Sequence, residues 1–189
     1  MASDAFMILP GGGVFGECSD SEFQHTKGWF QITDLSWTAA SPDKDSIDDA
    51  VKQRDMALQK LTIKKLIDRA SPDLFRACLE KTEFERATIV VRESGTTRIT
   101  KTPDGRETEE KQLPYLKLHF ENVEIGSVIW GLTPGQSHDD SGEETIEFLC
   151  GKMCIEYLRQ ETTGKHEPHK MGGWDFIGHK RWGPLGRGR

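Results

Sequence analysis

The stretch that decides the fold is "HTKGWFQITDLSW", residues 25–37. Side chains along a β-strand alternate between its two faces, and an exposed strand usually has one apolar and one polar face. Here both faces carry large apolar groups: Phe30 and Ile32 on one face, and Trp29, Leu35 and Trp37 on the other. The segment is therefore predicted to be a strand that bends sharply near Asp34.

Other segments with the alternation or composition of strands follow along the chain. They are residues 5–9, 58–68, 87–94, 115–120, 123–132 and 145–160. Asn122 is interpreted as a break between two strands. In the last segment the apolar residues change phase at Gly151, and a glycine at such a position predicts a β-bulge.

One segment has the pattern of a helix, "SPDLFRACLEK", residues 71–81. Ser71 is predicted to cap it, with Pro72 in the first turn. Its apolar stripe, which is predicted to be buried, consists of Leu74, Phe75, Cys78 and Leu79. Many strands and one central helix predict a mainly β protein, a small antiparallel β-barrel or sandwich with one short flanking α-helix that covers one opening.

Composition excludes several classes of function. The chain has 189 residues, a length that suits one domain. Its formal net charge of −6 argues against nucleic-acid binding. The sequence has no stretch of about 18 apolar residues, so membrane insertion is not expected. The N-terminus has no features of a cleaved signal peptide, which predicts a protein made in the cytosol. Four scattered cysteines are interpreted as free thiols.

The candidate chemical sites are weak. His166 and His169 flank Glu-Pro, and His138, Asp139 and Asp140 follow one another, but neither group has enough metal ligands at suitable spacing. The glycine-rich run 10–16 follows a strand but does not precede a helix, so it is not a phosphate-binding loop. The sequence therefore predicts no enzyme, no metal site and no cofactor, and places the function in surfaces.

Several separated segments, in order, resemble the hemolysin-coregulated protein (Hcp) family, the tube proteins of the bacterial type VI secretion system. They are "ASDAFMIL", "GECSDSEFQHTKGWFQITDLSW", "LTIKKLIDRASPDLFRACLEK", "YLKLHFENVEIGSV", "EFLCGKMCIEY" and "GGWDF". The resemblance covers roughly residues 3–180. Cys18 stands where the family usually has serine, and residues 41–57, 133–144 and the final "RWGPLGRGR" depart from the pattern.

The resemblance implies a β-barrel domain over 1–180, a charged loop insertion at 41–57 and a basic tail at 181–189. Barrels of this kind assemble into a homohexameric ring, and stacked rings form a tube that carries effectors in its lumen. Strands with apolar groups on both faces are then expected, since one face fills the barrel and the other meets the assembly. The implied partners are further copies of the chain, the spike protein at the tube tip, the contractile sheath and effectors.

Particular residues follow from the same resemblance. Ser36 and Trp37 correspond to the lumen position that contacts effectors. The 41–57 segment is expected to contact a neighbouring ring through charged residues, namely Asp43, Asp45, Asp48, Asp49, Lys52 and Arg54. The protein is expected in the cytoplasm and then outside the cell, exported through the type VI machine without a cleaved signal peptide.

Two other functions stay open on the residues alone. A closed barrel of this size can bind one small molecule as a monomer, and a monomer on a sizing column would favour that function. A metal-dependent hydrolase would use His166, His169 and the acids at 138–140. Metal analysis of the purified protein distinguishes that alternative.

Overall fold

The computed structural model describes residues 3–20, 22–24, 28–38, 59–93, 98–101, 107–110, 114–131, 142–158 and 170–183. Within these ranges it has one helix, α1 (Ser71–Glu80). The strands are β1 (Ser3–Ile8), β2 (Phe30–Ile32), β3 (Asp34–Trp37), β4 (Gln59–Leu66), β5 (Phe84–Glu93), β6 (Arg98–Lys101), β7 (Glu107–Glu110), β8 (Pro114–Gly131), β9 (Glu143–Tyr157), β10 (Lys170–Asp175) and β11 (Lys180–Arg181).

Nine of these strands form one antiparallel sheet. Its main path runs β11-β10-β9-β8-β5-β1-β2, and β9 also pairs with β4, which in turn pairs with β3. Strands β6 and β7 pair separately. The mainly β, antiparallel architecture with one helix is as predicted from the sequence.

The segment 30–37 bends as predicted, at Thr33. Strand β2 pairs with β1, whereas β3 pairs with β4. These two adjacent strands of the chain therefore lie at the two ends of the series β3-β4-β9-β8-β5-β1-β2. The Thr33 amide at the bend donates a hydrogen bond of 2.7 Å to the Lys64 carbonyl. Phe30 and Ile32 are buried in the main core, and Leu35 packs against the same core from the other face of the segment. The bend turns Leu35 toward the same core as Phe30 and Ile32, which accounts for apolar residues of both parities around Thr33.

Strands β8 and β9 form the longest ladder, and two predictions about them are wrong. Asn122 does not end a strand, because β8 continues through it with Asn122 at φ 53°. Gly151 is not a register shift, since the pairing of β9 with β8 keeps one register from Met153 to Phe148, and the shift lies near Gly126 instead. The observed phase change at Gly151 occurs opposite Asn122, so both strands rotate together at this point.

A single main core fills the space between the curved strands. Its largest fully buried side chains are aromatic or long aliphatic groups: Phe30, Phe84, Phe120, Phe148, Met7, Leu9, Leu61, Ile63, Leu74 and Ile89. Leu118 and Phe120, which alternate with polar residues in the predicted strand 115–120, belong to it. The alternation of each strand therefore predicted most of the core.

Helix α1 packs on β8 with only part of the predicted stripe, since Leu74 is buried and the partly buried Cys78 packs against the main core. Leu74 and Ala77 are buried, but Phe75 is 44% exposed and Leu79 is 68% exposed. Ser71 is also not the cap, because Ala70 occupies that position and no side chain caps the helix. The helix rests on the sheet along the narrow stripe of Leu74 and Ala77, three residues apart, and this leaves the Phe75–Leu79 edge outside.

Some predictions fall outside the described residues. These are the 41–57 insertion, the group at 138–140, the histidines at 166 and 169, and the tail beyond 183.

Candidate functional site

One face of the sheet is exposed and polar, and it carries Ser36. In the strand order β3-β4-β9-β8, Ser36 lies opposite Thr62, Thr62 opposite Glu147, and Glu147 opposite Ser127. We call the outward side of these four strands the polar face. Its neighbouring rows add Asp34, Lys64, Thr145 and Lys60. Hydroxyl groups and charges therefore make up most of this face, and the exposed Ile129 lies beside Thr145 at its β8 side.

The charges on the polar face are largely paired with each other. Lys60 Nζ lies 3.2 Å from Glu147 Oε1. Lys64 Nζ lies 4.0 Å from carboxylate oxygens of both Asp34 and Glu143. Exposed pairs of this kind contribute only about 0–1 kcal/mol to stability. They cost little to break, so these groups are available to other polar partners.

Ser36 and Trp37 do not form one site on the sheet. They are adjacent in β3 and so point to opposite faces. Trp37 lies opposite Leu61, which lies opposite Phe148, and both of those residues are in the core. Trp37 nevertheless remains 36% exposed at the edge strand. Of the two predicted lumen residues, only Ser36 lies on the polar face.

A buried polar cluster that was not predicted from the sequence joins β4, β9 and α1. Lys65 is 1% exposed and Glu144 is 0% exposed, with Lys65 Nζ 2.8 Å from Glu144 Oε1. Lys65 also donates to Asp68 Oδ1 at 2.6 Å, and the Ser71 hydroxyl donates to Glu144 Oε1 at 2.7 Å. The Trp130 indole donates to Glu144 Oε2 at 2.8 Å. The sequence did contain a signal for Lys65. It lies two residues after Ile63 in β4, so its side chain points to the same inward face as Leu61 and Ile63.

A second, smaller core explains the other face of the opening segment. Trp29 packs against a cluster of Phe6, Phe23 and Val90. Arg92 lies over the Phe6 ring, 4.8 Å from its centroid. The described residues of the 15–29 segment thereby cover the outer side of β1 and β5.

Arg92 also fixes that loop by charge. Its guanidinium donates hydrogen bonds to Asp20 and Glu22. Burial alone would raise the pKa of Asp20, but the hydrogen bond and charge of Arg92 hold it below its ordinary value. This ion pair therefore attaches the loop to β5.

Two buried cysteines, Cys150 and Cys154, are poor nucleophiles. Burial raises the pKa of Cys150 to about 12. Burial also raises the pKa of Cys154, with the Glu156 charge adding to it. All four cysteines are free thiols, as predicted. Cys154 lies opposite His119, whose Nε2 is 3.1 Å from Glu156 Oε2, but a thiol with a raised pKa is little ionised at neutral pH.

No group of three or more metal-binding side chains occurs in the part of the chain that the structure describes. None of the helices in those ranges has the length and apolar character needed to span a membrane. A cavity of about 390 Å³ lies beside loop 15–29 and is lined by Phe15, Gly16, Glu17, Cys18, Phe23, Gln24, Gly28, Trp29 and Arg69. This cavity lies beside the second core, outside the main core.

Comparison with known families decides the assignment. The family model described as "Type VI secretion system effector, Hcp" matches residues 6–157. The chain belongs to the Hcp family. Hcp proteins are the tube proteins of the type VI secretion system, as the resemblance implied. A search of curated protein sequences finds no match.

Solved structures support the Hcp fold. Hcp1 from Salmonella typhimurium superposes with a TM-score of 0.66 at 23% identity, over 96% of this chain and 100% of that one. A type six secretion system protein gives a TM-score of 0.68 at 22% identity, with 96% and 100% covered. A type VI secretion system effector from Yersinia pestis gives 0.62 at 21% identity, with 91% and 99% covered. At these identities the likeness shows the fold.

Proposed function

We propose that this Hcp protein forms homohexameric rings that stack into the inner tube of a type VI secretion system. The tube carries effectors in its lumen and is itself secreted with them. The observation that carries this proposal is the family match over residues 6–157, which spans the sheet from β1 to the end of β9. The Hcp family self-associates into tubes and is secreted through this machine.

The subunit of this ring is a closed β-barrel over 1–180. Support comes from the segment 30–37. Strands β2 and β3 are the two ends of the series β3-β4-β9-β8-β5-β1-β2, and only Thr33 separates them in the chain. A sheet whose two ends belong to one bent segment is joined there by covalent bonds. Closure also leaves few free strand edges, which protects a β protein from aggregation.

The polar face is the wall of the lumen in this proposal, and Ser36 is its contact with effectors. A tube that must release its contents benefits from a hydrated wall that makes weak, exchangeable contacts. Hydroxyl groups and self-paired charges provide such a surface, since exposed ion pairs are weak and are screened by salt. Trp37, which points to the other side of β3, supports the wall from its core side.

The 41–57 segment governs stacking in this proposal, and residues 181–189 form a basic tail. The charged residues of the segment suit salt-sensitive contacts between rings. They are Asp43, Asp45, Asp48, Asp49, Lys52 and Arg54. The tube meets the spike protein at its tip and the contractile sheath around it. The protein is cytoplasmic before the machine fires and extracellular afterwards.

The first test is the size of the particle. We expect multi-angle light scattering at high protein concentration to give the mass of six subunits, and electron microscopy to show rings with a central hole. The physical reason is that the family fold assembles through unlike surfaces that close into a ring. A mass of one subunit at every concentration would contradict the proposal and favour the monomeric ligand-binding alternative.

The second test removes the insertion. A variant in which a Gly-Ser bridge replaces residues 43–55 is expected to form single rings but no tubes, and to abolish secretion of the protein by the cell. Negative-stain microscopy and an assay of the culture medium measure the two effects. Normal tubes and normal secretion would show that the segment is a surface decoration with no role in stacking.

A further inference from the structure

The cavity of about 390 Å³ beside the second core has an aromatic interior and a charged rim. Phe15, Phe23 and Trp29 line the interior. Glu17 and Arg69 also line the cavity, and both are exposed, so two opposite charges lie at its rim. The volume is within the range of about 300–1,000 Å³ that is usual for small-molecule sites, which combine apolar walls with a few polar groups. We call this the aromatic cavity.

The aromatic wall of the cavity is held in place from behind. The Phe23 ring stacks on Phe6 of β1 with the ring centroids 4.5 Å apart, and the Trp29 ring lies 4.5 Å from Phe23 on the same measure. At Gly16, an added Cβ would collide with the Trp29 carbonyl oxygen, so the chain can approach Trp29 this closely only with glycine. A wall that is already ordered loses little entropy when a ligand binds to it.

The backbone on both sides of the rim is fixed by one carboxylate, that of Asp68. Its Oδ1 accepts a hydrogen bond of 2.6 Å from the buried Lys65 and one of 2.8 Å from the Ala70 amide. Its Oδ2 accepts from the Glu17 amide at 3.5 Å. Arg69 lies between Asp68 and Ala70 in the chain, so the backbones that carry both rim charges are attached to the same buried cluster.

The two rim charges are themselves free to bind a ligand. Within the ranges that the structure describes, neither the Arg69 guanidinium nor the Glu17 carboxylate has an ion-pair or hydrogen-bond partner, and the two are not paired with each other. The neighbouring Arg92, in contrast, is bound to Asp20 and Glu22. The aromatic cavity therefore has one positive and one negative group at its mouth, and each of them lacks a counterion.

We infer that the aromatic cavity binds a free aromatic α-amino acid. The ring of the ligand packs among Phe15, Phe23 and Trp29, since aromatic rings favour stacked and edge-to-face contacts. Its carboxylate binds the Arg69 guanidinium, which matches carboxylate geometry, and its ammonium group binds Glu17. An aromatic acid without the ammonium group would leave Glu17 unpaired beside a like charge. This inference does not depend on the proposed hexamer.

The first experiment compares four small molecules by isothermal titration calorimetry with the purified full chain. We expect phenylalanine to bind with one molecule per chain, and alanine to give no saturable heat because it has no ring. Phenylalanine amide lacks the carboxylate and hydrocinnamate lacks the ammonium group. Each is expected to bind about tenfold more weakly, the lower end of the effect of losing one hydrogen bond to a charged group, since the rim is exposed.

Two variants then connect each charged group of the ligand to one residue. Arg69→Gln is expected to lose the preference for phenylalanine over its amide and to keep the preference over hydrocinnamate. Glu17→Gln is expected to show the reverse. The matched control is Arg76→Gln, since Arg76 is an exposed arginine of α1 that does not line the cavity, and it should keep both preferences. Circular dichroism melting checks that each variant is folded. Preferences that stay unchanged in Arg69→Gln or Glu17→Gln would overturn the inference.

Cys18 reports where the ligand binds, because this partly buried thiol also lines the cavity. Burial raises the pKa of Cys18, so alkylation with iodoacetamide is carried out at mildly alkaline pH. Mass spectrometry is expected to show that phenylalanine slows the modification of Cys18 and that alanine does not. Cys78, a partly buried thiol outside the cavity, is the control and should react at the same rate with either molecule.

Two results would reject the aromatic cavity as a binding site. One is the absence of saturable phenylalanine binding by the wild-type protein. The other is unchanged modification of Cys18 at saturating phenylalanine, which would place the ligand elsewhere on the chain. Both would leave the tube function untouched, since that function rests on the family match and on the size of the particle.

Discussion

Replacing Lys65 by methionine is expected to destabilise the protein by about 3–5 kcal/mol, the usual cost of removing one partner of a buried ion pair. Glu144, which is fully buried, would keep its hydrogen bonds from Ser71 and Trp130 but lose the positive charge beside it. Asp68 would lose the same ammonium group. An uncompensated buried carboxylate is the physical reason for the large effect.

The chain offers a matched control one residue away. Lys64→Met removes a partly exposed lysine whose nearest carboxylate oxygens are 4.0 Å away, and it is expected to change stability by less than about 1 kcal/mol. The double variant Lys65→Met/Glu144→Leu removes both charges and should recover part of the loss. Urea denaturation followed by tryptophan fluorescence measures all three variants. Equal effects of the Lys65 and Lys64 substitutions would show that the cluster is not what stabilises this corner.

The alternation of apolar residues predicted the strands and most of the core because it depends on local geometry. Phe30, Ile32, Leu118 and Phe120 are inward by parity alone, and the bend in 30–37 followed from apolar residues of both parities. The buried Lys65–Glu144 pair could not be found in this way, since the two residues are 79 positions apart. Parity places Lys65 inward, but only the pairing of β4 with β9 brings a carboxylate to it.

The phase change at Gly151 shows a limit of single-strand patterns. Within β9 it resembles a bulge, because one strand carries no information about its neighbour. The neighbouring strand changes phase at Asn122, directly across the ladder, and the register is preserved. A phase change in one strand predicts a bulge only if its partner keeps its own phase.

The candidate site could likewise be predicted from the sequence only in part. The ordered Hcp-like segments predicted the family, and the family model confirms it over residues 6–157. Ser36 and Trp37 face opposite sides of β3 because they are adjacent in the strand, and their contact with effectors stays a prediction. A sequence motif identifies Ser36 as a candidate. Only the register of the sheet shows that it shares a row across four strands with Thr62, Glu147 and Ser127.

Two leucines of helix α1 are expected to differ widely when each is replaced by alanine. Leu74 is fully buried in the main core, so Leu74→Ala should cost about 2–5 kcal/mol through lost burial and the cavity left behind. Leu79, five residues later in the same helix, is 68% exposed, and Leu79→Ala should stay within about 0.5 kcal/mol in the isolated subunit. Both variants change leucine to alanine in the same helix, so a change in helix propensity is common to both. The difference between their free energies of unfolding therefore measures the effect of burial.

Association complicates this comparison, because a partner that binds the folded state adds to its apparent stability. Denaturation is therefore measured at two protein concentrations. The loss in Leu74→Ala should be the same at both, since that side chain lies inside the subunit. A loss in Leu79→Ala that appears only at the higher concentration would reflect association of copies, since the exposed side chain adds little to the isolated subunit. A large loss in Leu79→Ala that does not depend on concentration would return Leu79 to the core and restore the stripe predicted from the sequence.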